Sequence, residues 1–297
     1  MVADRFKKIS PKLIENEPMK KHTTFKIGGP ADIYVSVGSI DELSELLKLA
    51  KETQTPYTVI GNGSNILVGD NGIRGLVIEI GSNLAYCEAD GDKIYAQAGA
   101  LLSKIASLAA ANSLSGMEEI SGIPGTLGGG IYMNAGAYGG EIKNVIKNVT
   151  YVDTDGEIIT VTGDECNFGY RQSIFTDGKK FVVSAELDLK KDDKTAISER
   201  MADFRKRRCD KQPLAYPSAG STFKRPEGYF AGALIEQAGL KGYGIGGACV
   251  SDLHAGFIIN CGDATAKDVL DLISYVQKTV YDKFGVTLEP EVRLLGE

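Results

Sequence analysis

Apolar and polar positions change rhythm repeatedly along the chain, and each change marks an element. Residues 33–37 (IYVSV) read as a strand, and 39–53 (SIDELSELLKLAKET) follow with apolar residues at helical spacing. Ser39 and Glu42 stand three apart at the start of that helix, the spacing of a capping box. YTVIG (57–61) predicts a strand, GNGSN (61–65) a tight loop, and ILV with GLVIEI further strands. Beyond Ala85 come a strand at 93–99 and a helix at 100–114, then a hairpin over 145–161 turning at Thr154-Asp155-Gly156, and a strand at 179–190. A charged helix over 196–211 leads into QPLAYPSAG, whose prolines mark a boundary. A short helix (YFAGALIEQAGL), a strand (GFIIN), a long helix at 265–284 and a terminal strand complete the series. The long helix carries Val269, Ile273, Val276, Val280 and Phe284 along one stripe, with Thr265 and Asp268 fitting its start. This order predicts three lobes: a small α/β lobe over 1–80, a strand-rich lobe over 81–195 and an α/β lobe over 196–297.

Composition narrows the class. The 297 residues are 43% hydrophobic and 24% charged, enough for real cores and unlike a disordered or fibrous chain. No run is apolar enough to span a bilayer and the first residues lack a secretion-signal core, so a soluble, cytoplasmic protein is expected. The net charge of −6 argues against a general nucleic-acid binder. The five cysteines form no CxxC pair and only two histidines occur, which argues against a disulfide framework and a His-rich metal site; no metal is expected. His22 and His254 read as structural.

Glycine carries the sharpest signal. In SGIPGTLGGGIYMNAGAYGG (121–140) eight of twenty residues are glycine. Such a loop lets a ligand lie against bare amides, and successive N–H groups form an anion-binding nest. GNGSN offers a second such loop, so one long phosphate-bearing cofactor held between two lobes is expected. No GxxxxGK[ST] is present. GYGIGG (242–247) spells GxGxxG, but a helix precedes it where a dinucleotide fingerprint needs a strand, so it reads as a loop. Basic residues gather in FRKRRCDK (204–211) and FKRP (223–226), an excess suited to an anionic partner or to a solvated face. Glu289, Glu291 and Arg293 alternate in LEPEVRLLG and would share one face of a strand. Spacing alone leaves these, and Arg171 in GYRQSIF, as readily structural as functional.

Taken together, HTTFKIGGPAD, GNGSNILV, GIPGTLGGGIYMNAGAYG, GYRQSIF, AGSTFKRP and LEPEVRLLG resemble the UDP-N-acetylenolpyruvoylglucosamine reductase (MurB) family, in order and over nearly the whole chain. The resemblance implies a two-lobed FAD-binding domain of the PCMH type plus a C-terminal α/β substrate-binding domain, mixed α+β and α/β in class. It implies non-covalent FAD, NADPH as co-substrate, and reduction of an enolpyruvyl ether on a UDP-sugar in peptidoglycan precursor synthesis, hence in cell-wall biogenesis, cell shape and division. Arg171 would stabilise the enolate-like charge, Glu291 would position and polarise that group, and Ser221 would donate the proton to carbon. Gly61, Asn62, Gly63, Ser64 and Asn65 would meet FAD, as would Ile123, Pro124, Gly125, Thr126, Gly128, Gly129, Asn134, Ala135 and Gly136. Arg208 and Arg293 would reach the flavin phosphates or the site rim, while Lys211, Lys224 and Arg225 would contact substrate. Only 49 residues separate Arg171 from Ser221, as in the shorter subclass lacking a tyrosine-bearing insertion. No nucleic acid or membrane partner is expected, and a monomer is favoured. Two other readings stand beside this one, a flavin oxidase of the same broad fold and a non-catalytic nucleotide sensor.

Overall fold

A computed structural model describes residues 2–297. The described residues divide into two compact units, one comprising residues 2–15, 33–62 and 75–208, the other residues 16–32, 63–74 and 209–297.

In the first unit the helix Ile40–Glu52 forms as the apolar spacing predicts, burying Leu43, Leu46, Leu47 and Ala50. Ser39 caps it by accepting from the Glu42 amide at 3.1 Å, but the Glu42 carboxylate reaches the Gly38 amide (2.7 Å), one residue before its expected partner. Tyr57–Ile60 pairs in parallel with Leu76–Glu79, Tyr57 opposite Leu76. On its other side Ile73–Glu79 is flanked by Pro30–Ser36, the larger part of both strands lying in this unit.

The strand-rich part is a five-stranded antiparallel sheet ordered Ile158–Thr162, Ile146–Asp153, Lys180–Asp188, Lys93–Gln97, Cys87–Asp90. The hairpin turns where the Thr154-Asp155-Gly156 signal puts it, with Val152 opposite Ile158. Helix Leu102–Ala111 supplies Leu102, Ile105, Ala106 and Ala109 to the core that Val183, Ala185 and Leu187 also enter. One stretch departs from expectation. Leu127–Tyr132, inside the glycine run read as a loop, is a short helix capped by Thr126.

The second unit has its own core, in which Phe25, Ile27 and Leu67 join residues from 219 to 288. Its three-stranded antiparallel sheet, Gly244–Ile245, Ala248–Val250 and Ile258–Asn260, packs on helix Ala266–Phe284. The capping box is present in full: the Thr265 hydroxyl accepts from the Asp268 amide, and the Asp268 carboxylate accepts from the Thr265 amide. Val269, Ile273, Val276 and Val280 are buried as the stripe predicts, but Phe284, in the last turn, is exposed. GYGIGG makes a hairpin rather than a strand–turn–helix. Among the described residues no helix is long and apolar enough to cross a membrane, and no group of three or more His, Cys, Asp or Glu side chains could hold a metal ion.

Candidate active site

In the first unit the glycine run is held from several sides. Thr126 Oγ1 accepts from the Gly129 amide (3.5 Å), while the Leu127 and Gly128 amides donate to Ala100 O and Ala98 O, both at 2.8 Å. The first helical amides are therefore engaged by the chain itself, and they do not form the open nest that the glycine count suggests. Several glycines answer to packing. A Cβ on Gly128 would lie 3.0 Å from Ala98 Cβ, one on Gly140 2.7 Å from Glu119 Cβ, and one on Gly122 3.0 Å from Arg208 Cδ. Arg208 thus lays its aliphatic stem over Gly122. The GNGSN stretch begins against the same run: a Cβ on Gly61 would stand 2.5 Å from Thr126 Oγ1, and Asn62 Nδ2 donates to Pro124 O at 2.6 Å.

Asn134 organises the far end of the run. It is 1% exposed. Its Nδ2 donates to Glu141 Oε2 (3.0 Å) and Gly169 O (2.9 Å), and its Oδ1 accepts from the Lys143 amide (3.3 Å). Lys143 Nζ meets the same Glu141 oxygen at 2.7 Å. Lys143 first, then Asn134 and Arg171, hold the Glu141 carboxyl below the usual range against the effect of its burial. The anchored Gly169 belongs to a narrow turn in which Gly169 bridges Gln172, and Arg171 rides on it at φ 55°. A non-glycine residue in this left-handed region is strained and persists only where its surroundings fix it. Here Arg171 Nη2 donates to Gly136 O (3.3 Å) and the guanidinium lies 5.2 Å from the Tyr170 ring centroid. Gly136 therefore shapes the arginine's surroundings. Glu141 and Lys143 frame the network around Asn134 and Arg171, and sequence reasoning misses both, since no motif spacing ties either to Arg171.

In the second unit the backbone holds the segments that carry Ser221 and Glu291 side by side. The Glu291 amide donates to Thr222 O and the Lys224 amide to Glu289 O, both at 2.8 Å, around a bridge between Phe223 and Pro290. The regular terminal strand is confined to Arg293–Leu295, so the single strand face expected for Glu289, Glu291 and Arg293 does not form. The Ser221 hydroxyl makes a long 3.5 Å contact to Phe223 O and is partly exposed. Asn65 Nδ2 donates to Glu291 O (3.2 Å), and Asn65 O accepts from the Arg293 amide (3.0 Å). Gly63, at φ 62°, is pressed against the backbone of His22 and Thr23. The Arg225 guanidinium covers the Phe230 ring at 4.1 Å, Lys224 pairs with Glu289 at 3.1 Å, and Lys211 is exposed at the end of helix Lys194–Lys211. His22 bonds Glu17 (3.0 Å), and His254 Nδ1 accepts from the Gly256 amide (3.0 Å) while burial lowers its pKa.

These residues can be tested against a flavin dinucleotide. Among the described residues, the amides of Asn62, Gly63 and Ser64 donate to no chain acceptor, and they are consecutive. Three such donors in a glycine turn suit a pyrophosphate, so the fit to FAD is good at GNGSN and rests less on the amides of 127–129.

Comparison with known proteins agrees. Residues 31–162 match an FAD binding domain, and residues 212–295 match the UDP-N-acetylenolpyruvoylglucosamine reductase C-terminal domain. The UDP-N-acetylenolpyruvoylglucosamine reductase of Caldanaerobacter subterraneus subsp. tengcongensis is 51% identical over 100% of this chain and 99% of its own length. That of Agathobacter rectalis is 54% identical over 96% of this chain and 94% of its own. The crystal structure of the Thermus caldophilus reductase superposes on 96% of this chain and 98% of its own with a TM-score of 0.82 at 36% identity. A glucose dehydrogenase, Phl p 4.0202, matches 65% of this chain and 44% of its own at 13% identity and a TM-score of 0.51, a likeness of fold alone. An FAD-binding domain and a C-terminal domain of this one kind, joined in a chain related along its whole length to these reductases, mean that it belongs to the UDP-N-acetylenolpyruvoylglucosamine reductase (MurB) family.

Proposed function

We propose that the protein is an FAD-dependent reductase converting UDP-N-acetyl-enolpyruvoylglucosamine to UDP-N-acetylmuramate, with NADPH as the electron source, in peptidoglycan precursor synthesis. The observation that carries this reading is kinship along the whole chain with reductases of that name. FAD, when bound, supplies the hydride. Asn62, Gly63 and Ser64 would hold its pyrophosphate, and Arg208 and Arg293 would neutralise the phosphate charge.

The chain's own part is to manage charge and a proton. Adding hydride to the enolpyruvyl double bond leaves negative charge on the neighbouring carbon and its carboxylate. Arg171 supplies the cation for that charge, and its strained turn supports the reading because a fixed guanidinium needs no reorganisation when the charge appears. Glu291 polarises the same group. Ser221 gives the proton to carbon. A serine is a weak acid in water and serves only where the accepting carbon is strongly basic and the hydroxyl is held against it. Its single long contact supports the role, since the proton is not committed to a strong internal bond. Lys211, Lys224 and Arg225 would engage the diphosphate and carboxylate of the substrate. The reading also carries three lobes bounded at 80/81 and 195/196, a cytoplasmic location and a monomer.

The test is Ser221→Ala. NADPH should bleach the visible flavin band of this variant as in the wild type, and the enolpyruvyl substrate should fail to restore it anaerobically. Normal restoration would remove Ser221 from the chemistry. A protein that takes up no flavin on incubation with FAD would defeat the whole assignment and favour a nucleotide sensor.

A further inference from the structure

The second unit contains a cavity of roughly 480 Å³ to whose lining the proposed function assigns no residue, and three of the five cysteines line it: Cys209, Cys249 and Cys261. Strand Ala248–Val250 runs antiparallel to Ile258–Asn260 with Cys249 opposite Ile259, and the Cys261 amide donates to Gly247 O (2.9 Å), extending the ladder by one pair. Side chains alternate along a strand, so Cys249, Ile259 and Cys261 lie on one face. Cys261 stands opposite Gly247, which has no side chain, leaving Cys249 as its diagonal neighbour across the ladder.

Diagonal neighbours sit about 7–8 Å apart, beyond the ~4.4–6.8 Å between Cα atoms that a disulfide requires. The two sulfurs lie close enough for the Cys249 thiol to act on Cys261, while the diagonal offset is longer than the usual disulfide spacing. A single bridging atom spans the longer gap, because two bonds of about 2.3 Å, the length of a zinc–thiolate bond, replace one of about 2.05 Å.

Two further observations select the bridging atom. Burial first, then the Cys249 thiol, push Cys261 up to about 12, so this thiol keeps its proton at neutral pH. A divalent metal would have to expel thiol protons, whereas a trivalent hydroxide consumes them. In addition, Gln212 Oε1, on the cavity wall, is a buried acceptor with no hydrogen-bond partner. Such an atom is costly unless a donor reaches it.

We propose that Cys249 and Cys261 form a dithiol site for a trivalent oxo-metalloid of the As(OH)₃ type, with Gln212 accepting from its remaining hydroxyl. The step balances without redox change: As(OH)₃ and two thiols give (RS)₂As–OH and two waters. Two S–H and two As–O bonds break, two As–S bonds form, and each thiol proton leaves in a water. Linking two thiols in one site makes the second capture intramolecular, which raises the affinity over any single cysteine.

Arsenite and phenylarsine oxide are the probes, on reduced, folded full-length protein. Each should give a 1:1 adduct by native mass spectrometry, shield Cys249 and Cys261 from alkylation, and be displaced by a small dithiol but not by a monothiol. Cys249→Ser and Cys261→Ser should each abolish the adduct, while Cys166→Ser and Cys209→Ser should keep it. Gln212→Leu should weaken arsenite binding roughly tenfold, the scale of one hydrogen bond to a buried acceptor, and leave phenylarsine oxide unaffected, since its adduct carries no hydroxyl. An adduct that survives either serine variant, alkylation protection elsewhere in the wild type, or no adduct on the folded protein would overturn the site. Equal weakening of both probes by Gln212→Leu would overturn the acceptor. Because mass and alkylation are read rather than turnover, these outcomes are independent of the reductase assignment.

Discussion

Replacing Asn134 by alanine removes three hydrogen bonds and leaves the backbone in a conformation that alanine resists. The side chain is 1% exposed, so water does not compensate for the Gly169 carbonyl and the Lys143 amide it leaves behind. Glu141 is hurt less because it retains Lys143. At about 1 kcal/mol for each lost bond, plus about 1 kcal/mol for alanine in the left-handed region at φ 44°, the expected loss is on the order of 3–4 kcal/mol. For a folding unit of 150–250 residues that is a fall in Tm of about 6–16 °C. Asn134→Gly removes the same bonds without the backbone strain and should be more stable than Asn134→Ala by about 1 kcal/mol. The assay is urea and thermal unfolding of wild type and both variants, with and without added FAD. Turnover should fall at least tenfold in either variant, because the lost Gly169 bond frees the turn that carries Arg171. An Asn134→Ala protein melting within a degree of wild type would refute the network. A glycine variant no better than the alanine variant would refute the strain.

Gly72 and Gly139 separate collision from conformation, since both have positive φ, 87° and 92°, but a Cβ on Gly72 would run into the Pro30 carbonyl and one on Gly139 meets nothing within 4 Å. Gly139→Ala should cost about 1 kcal/mol, while Gly72→Ala should cost at least ~4 kcal/mol or give no folded protein; similar urea midpoints would show that the space around Gly72 adapts. Glu118, 3% exposed, accepts from Arg200 Nη2 at 2.7 Å and from the Gly116 amide at 2.6 Å. Burial opposes its charge, but the Gly116 amide and Arg200 outweigh burial and hold the carboxyl below its usual range. A depressed carboxylate stabilises fully above its unfolded value of about 4.3, and that contribution is lost as pH falls through the lower folded value. Glu118→Gln should therefore unfold about 1–3 kcal/mol more easily at pH 7, a figure discounted because Arg200 is 39% exposed. The gap should close below about pH 4, and one that stays constant down to pH 3 would exclude the ion pair as its source.

How much of this was legible in the sequence depended on range. Short-range signals read true: Thr265 and Asp268 cap their helix, and the Thr154-Asp155-Gly156 turn sits where its residues place it. The helix Leu127–Tyr132 was not legible, because consecutive glycines are the poorest helix formers after proline. It stands because Thr126 caps it, Leu127 and Ile131 are buried, and glycine lets Ala98 and Leu102 pack against it. The division into units was hidden too. Residues 16–32 and 63–74 belong with a segment that begins at 209, and no local pattern announces a contact at that distance. Arg171 stood out only through resemblance, since its left-handed backbone depends on Asn134, which reaches Gly169 across 35 positions.

The pairing of Ile66–Val68 with Arg293–Leu295 has a consequence for synthesis. Leu67 and Val68 are buried in the finished protein, and Gly69 and Asn71 donate to Leu295 O and Glu297 O. A ribosome adding ~5–20 residues per second needs roughly 10–45 s to travel from one strand to the other. Through that interval an apolar strand edge is on offer with its partner not yet made. The second unit can close only after translation has reached its last strand, so the nascent chain depends on whatever shields that edge, and a ribosome stalled before residue 293 leaves a product that cannot complete the pair.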